Sequence, residues 1–128
     1  MRLLLDTHAL LWALEASPKL SPKATQAIAE SDDGILVSAA SIMEIALKHR
    51  LGKLPDAARL VANWQVVFGN LAAEPLSVSV EHAALAGSLD IPHKDPFDRL
   101  LIAQARIEGV PIVSNEKLFD AFGVARIW

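Results

Sequence analysis

Five short apolar runs, "RLLL" at 2–5, "ILVS" at 35–38, "LSVS" at 76–79, "PIVS" at 111–114 and "ARIW" at 125–128, recur between longer stretches with helical spacing. Near-continuous apolar runs are the mark of strands covered on both faces, and their alternation with helices predicts an α/β fold with a mostly parallel sheet. At 128 residues the chain is the size of one domain. The expectation is a single α/β domain over 1–128, with a central sheet of about five strands flanked by about seven helices.

The helical stretches carry their own punctuation. "HALLWALEA" follows the first strand, and Ser21 with Pro22 reads as an N-cap and first helical residue. A helix is expected from about Ser41 to Gly52, and another over 56–69 with Leu60, Trp64, Val67 and Phe68 at helical spacing. "VEHAALAG", a helix from Asp95-Pro96 to Gly109, and "EKLFDAFG" complete the series.

The composition excludes several classes. Hydrophobic residues make up 52% and mean hydropathy is +0.33, yet no apolar run approaches the ~18 to 20 residues of a membrane span. The start lacks the features of a signal peptide, so a cytoplasmic protein is expected. The absence of cysteine excludes disulfides and thiolate metal sites and leaves oxygen and nitrogen ligands. A net charge of −3 is not the footprint of a protein that binds nucleic acid by charge alone.

In a parallel sheet the ligand crevice lies beyond the carboxyl ends of the strands, and four acids fall at such junctions. Asp6 follows the first strand, Glu44 lies after the second, Glu116 follows the fourth, and Asp98 opens a helix that returns to the sheet. Each has a plain structural reading beside the functional one. Ser41 to Glu44 fits a capping box, and Asp95-Pro96 fits an N-cap with proline at the first helical position. Ser114-Asn115-Glu116 resembles a helix start, whereas Asp6 matches no cap offset and reads as a strand-end turn residue or a ligand. Together, converging carboxylates would repel one another and call for a cation. Oxygen donors suit Mg²⁺ or Mn²⁺, which also bind phosphate oxygens.

Four segments, "LLLDTHALLWAL", "VSAASIMEIALK", "HKDPFDRLLIAQA" and "PIVSNEKLFDAFGV", occur in this order. With them the chain resembles the PIN-domain family, and within it the VapC-like toxins of type II toxin-antitoxin systems. The resemblance runs over about 2–127 and is least in 53–75. It implies a Mg²⁺- or Mn²⁺-dependent endoribonuclease that acts on RNA, forms a homodimer and is silenced by a small antitoxin. The family's acidic quartet falls on Asp6, Glu44, Asp98 and Glu116, the last in place of the more common Asp; Asp95 is an additional acid. Under that resemblance Asp6 and Asp98 hold the metal, and Glu44 is a third ligand or orients the attacking water.

Further residues have two readings each. Thr7 and Ser114 could donate to a carboxylate or phosphate, or cap helices. His8 and His93 read as surface or core residues before ligands. Arg99 could pair with Asp95 or reach RNA, and Lys48, His49, Arg50 and Lys53 form a basic patch or a solvated face in which Glu44 and Lys48 pair at i,i+4. Trp12, Trp64, Val67 and Phe68 read as core, or in part as a partner surface. The rival from another class is an inactive PIN-like module that binds RNA or a partner without cutting. Dehalogenase-type and receiver domains fit less well, because position 8 is His and "LSVSVEH" offers no acceptor Asp.

Overall fold

The computed structural model describes residues 2–92 and 95–128; His93 lies outside the described residues. Strands β1 (Leu3–Leu5), β2 (Ile35–Ser38), β3 (Ala73–Leu76), β4 (Ile112–Val113) and β5 (Arg126–Ile127) form one sheet in the order β3-β2-β1-β4-β5, parallel throughout. Seven helices connect them: α1 (Thr7–Leu14), α2 (Pro22–Ala29), α3 (Ala39–Arg50), α4 (Ala58–Ala62), α5 (Trp64–Leu71), α6 (Val80–Ser88) and α7 (Pro96–Glu108). Two short 3-10 turns, Pro55–Ala57 and Lys117–Ala121, complete the described elements.

The two-residue period of the strands divides the core. Leu3, Leu5, Ile35, Val37 and Val113 face a cluster with Ala9, Leu10, Ala24, Ile45, Leu60 and Phe68. Leu4, Leu36 and Ile112 face the other side, with Leu101, Ile102, Ala105 and Phe119. Leu4 and Leu5 are both fully buried, which is why "RLLL" reads as a continuous apolar run instead of an alternating one.

Several boundaries differ from expectation. The third strand is Ala73–Leu76 and meets "LSVS" only at Leu76. Its edge position tolerates Pro75, while Ser79 leaves the sheet to cap α6 in a capping box with His82. The expected helix over 56–69 is broken at Asn63, a poor helix-interior residue with φ −130°. Leu60, Val67 and Phe68 on the two resulting pieces are all buried. The last expected helix is the 3-10 turn Lys117–Ala121.

The N-cap of α3 is Ser38, whose hydroxyl accepts from the Ala40 N–H at 3.0 Å. Ser41 is therefore inside the helix, and the capping box with Glu44 is not formed. By contrast Ser21 and Asp95 cap α2 and α7 as the sequence predicts. Helix α7 stops at Gly109, with φ +65°. A Cβ there would meet nothing within 4 Å, so Gly109→Ala should cost about 1 kcal/mol through the left-handed backbone alone, read as a lowered urea midpoint with an unchanged slope.

Candidate active site

The strand order sets the place for chemistry. The chain moves outward from β1 through β2 to β3, then returns to lay β4 on the other side of β1. The carboxyl ends of β1 and β4 therefore form the switch point at which open α/β sheets bind ligands. Asp6 stands there, with its N–H donating to the Val113 carbonyl at 3.1 Å.

Asp6 is also the N-cap of α1, a role its sequence context did not reveal. Its Oδ1 accepts from the Ala9 N–H at 2.8 Å, and the Ser114 hydroxyl bonds its carboxylate. Only 4% of the residue is exposed. Burial pushes its pKa above the usual carboxylate value, and the Asp98 charge pushes in the same direction. The hydrogen bonds from Ser114 and Ala9 and the nearby His8 act in opposition without cancelling that rise.

This has a consequence for stability. A carboxyl group whose folded pKa exceeds its unfolded value of 3.8 binds its proton more tightly in the native state. Its favourable contribution is full below that value and is lost as pH rises through the folded pKa. Asn keeps a cap acceptor and carries no charge. Asp6→Asn should therefore be more stable than wild type at neutral pH, with the advantage shrinking as pH falls toward 3.8, as urea denaturation across that range would show.

A second polar group forms where α1 meets α3. The Thr7 hydroxyl donates to Glu44 Oε1 at 2.6 Å and lies 3.1 Å from the Ser41 hydroxyl. Lys48 Nζ donates to Glu44 Oε2 at 2.9 Å, the i,i+4 pair the spacing predicts. Thr7 and Ser41 are buried and Glu44 is half-buried, so both of its oxygens are held in place. From the sequence Ser41 reads as the N-cap of a capping box with Glu44, not as a neighbour of Thr7. Its position three residues before Glu44, on one helix face, was the available signal.

Asp95 Oδ1 accepts from the N–H groups of Phe97 at 2.9 Å and Asp98 at 3.3 Å, so Asp95 fixes the turn that presents Asp98. The Arg99 guanidinium donates to the carbonyls of Ala86, Gly87, Leu89 and Ile91, binding α6 and its following loop to α7. That lattice, rather than an ion pair with Asp95, is the role the described contacts give it. Glu116 is exposed, and its N–H donates to Ser114 Oγ at 2.9 Å. Val67 and Phe68 are buried, which removes them from any partner surface.

Of the predicted acids, Asp6 lies within reach of the Asp98 charge, and Glu44 is tethered to Thr7, the residue that follows Asp6. Among the described residues no three His, Asp or Glu side chains gather as a ready cage for an ion. Two carboxylates still fit Mg²⁺, which keeps most of its waters and takes one or two protein oxygens. An apolar groove of about 360 Å³, lined by Leu11, Leu14, Leu54, Leu60 and Val67 among others, holds none of the candidate site residues.

Comparison with known proteins agrees with this architecture. A search of curated proteins finds no match. Among solved structures, VapBC2 from Rickettsia felis bound to a promoter DNA fragment aligns with a TM-score of 0.70 at 16% identity, covering 98% of this chain and 97% of that one. VapC20 of Mycobacterium tuberculosis, a sarcin-ricin loop cleaving toxin, aligns with a TM-score of 0.70 at 16% identity over 96% of each chain. DNA-bound VapBC of Salmonella typhimurium gives 0.70 at 18% identity, over 98% of this chain and 96% of that one. The family model described as PIN domain matches residues 3–124. With the match spanning almost the whole chain and the acids at the switch point of the sheet, this protein belongs to the PIN-domain family.

Proposed function

We propose that this PIN domain, spanning 1–128, is a divalent-metal-dependent endoribonuclease and the toxin of a type II toxin-antitoxin pair. The observation that carries the reading is Asp6: a buried carboxylate at the switch point, raised in pKa, with the Asp98 charge beside it. A divalent cation held by the two carboxylates would offset both the burial of the Asp6 charge and its repulsion by Asp98.

Asp6 and Asp98 would hold Mg²⁺ or Mn²⁺, with Asp95 fixing the turn that carries Asp98. The ion, when bound, supplies Lewis-acid stabilisation of the phosphoryl oxygens and a water of lowered pKa. Glu44, aimed by Thr7 and Lys48, orients the attacking water and accepts its proton at a carboxylate oxygen. That water attacks phosphorus in line with the 3′ oxygen; the P–O3′ bond breaks, and the products carry a 5′-phosphate and a 3′-hydroxyl. Ser114 keeps Asp6 in place, and Glu116, exposed and bonded through its N–H to Ser114 Oγ, would add negative charge near the ion.

The partner is a small antitoxin protein, as in the VapBC pairs that share the fold. An exposed apolar stripe formed by Met43 and Leu47 of α3 and by its C-cap Leu51 supports a protein surface there and also suits a homodimer. Among the described residues no helix is long and apolar enough to cross a membrane, and action on cellular RNA places the protein in the cytoplasm. The dispersed acids favour one second reading, a PIN module that binds RNA without cutting.

Metal binding separates the two. Mn²⁺ should raise the melting temperature of wild type and leave that of the Asp6→Asn/Asp98→Asn double variant unmoved. An equal shift in both would place the ion elsewhere and remove the basis of the mechanism.

A further inference from the structure

Two residues beyond Asp6, His8 opens a group of rings that the metal chemistry does not use. The exposed His8 imidazole stacks on the Trp12 indole, with centroids 5.4 Å apart and planes 19° from parallel. Trp12 in turn meets Trp128 at 5.7 Å and 53°. Trp12 and Trp128 pack against the core by their inner sides and are half-buried. His8 carries the stack out to solvent.

The placement of this stack follows from the sheet. Ile127, at the end of β5, accepts the Ser114 N–H at 3.2 Å through its carbonyl. Trp128 is the next residue, and Ser114 bonds the Asp6 carboxylate. Helix α1 starts at Asp6 and carries His8, and about one turn beyond His8 comes Trp12, which closes on Trp128. A chain of neighbours therefore runs from Asp6 through Ser114 and the end of β5 to Trp128, Trp12 and His8. Arg126 fixes the strand end by donating to the Ser114 carbonyl at 3.1 Å and to both Asp120 oxygens at 2.8 and 3.1 Å.

We propose that the His8–Trp12–Trp128 stack is a platform for a nucleobase of single-stranded RNA, seating the nucleotide next to the phosphate that faces Asp6 and Asp98. The position relative to the scissile phosphate rests on the ribonuclease reading; the stacking itself does not. Every base offers a π face to aromatic side chains, and such stacking contributes affinity with little regard to sequence. A chain of net charge −3 whose site is acidic repels the phosphates, so ring stacking gives it a hold on RNA that does not depend on positive charge.

The test compares binding, in chelator so that nothing is cut, of a short fluorescein-labelled single-stranded RNA of mixed sequence and of the same ribose-phosphate chain without bases. Wild type should prefer the base-bearing strand by about tenfold to a hundredfold. His8→Ala and Trp128→Leu should bring that ratio close to one with their melting curves little changed. His8→Phe, which keeps a ring and loses the imidazole, should preserve it. An unchanged ratio in His8→Ala and Trp128→Leu, or no preference in wild type, overturns the platform. Cleavage assayed in parallel keeps the two readings apart: cutting with an unchanged ratio sinks the platform alone, and a ring-dependent ratio without cutting sinks the nuclease alone.

Discussion

Asp98→Asn is expected to reduce RNA cleavage by about two to three orders of magnitude or more, whereas Asp95→Asn should leave a substantial part of it. The two residues lie three apart on the same helix start but are used differently. Asp95 spends Oδ1 on the N–H groups of Phe97 and Asp98, and Asn offers the same acceptor and ranks with Asp as an N-cap. Asp98 follows inside the first turn, and its charge acts on Asp6. Removing that charge takes away half of the pair that would hold the ion. Initial rates on one RNA substrate, with melting curves for both variants, decide the matter. Equal losses of activity in two folded variants would dissolve this division of labour.

The largest expected effect on stability is at Phe119. Its ring is fully buried in the cluster formed by Leu4, Leu36, Leu101 and Ile112, although it comes from a 3-10 turn of five residues instead of a regular helix. Phe119→Ala should cost about 3 to 5 kcal/mol, which for a domain of this size lowers the melting temperature by roughly 10 to 20 °C. The half-buried neighbour Leu118 should be markedly less sensitive. Urea denaturation of Phe119→Ala and Leu118→Ala measures both, and near-equal costs would show that the turn is not anchored by the phenyl ring. Because this turn follows Ser114 and Glu116, the same ring fixes the β4 end of the site.

What the sequence disclosed divides along physical lines. Strands β1, β2 and β4 were legible because they are covered on both faces and so read as apolar runs. Strand β3 was not, since an edge strand containing Glu74 and Pro75 carries little of that pattern, while Ser77, Val78 and Ser79 imitate it on the way into α6. Caps with local signatures, Ser21-Pro22 and Asp95-Pro96, could be read directly. The cap of α3 was misplaced by three residues because Ser38 and Ser41 offer the same chemistry, and only packing shows that Glu44 turns to Thr7 instead of back to its own helix start. Asp6 gave no local cap signal, yet it both caps α1 and carries the buried charge. That Asp6 and Asp98 would face one crevice was expected from the sheet rule and the resemblance, whereas the Trp12–Trp128 contact joins residues far apart in the chain and only the strand order could reveal it.

Whether the acids at the β1–β4 switch point cut RNA with a divalent ion is decided by incubating total RNA with the purified protein and its Asp6→Asn variant. Each is assayed in Mg²⁺ or Mn²⁺ and again in EDTA. Wild type should cut only in the presence of the ion, leaving 5′-phosphate ends, and the variant should not cut although it is folded and more stable at neutral pH. Cleavage by wild type that persists in EDTA, or by the variant at the wild-type rate after repurification, would rule out a metal-dependent site at Asp6.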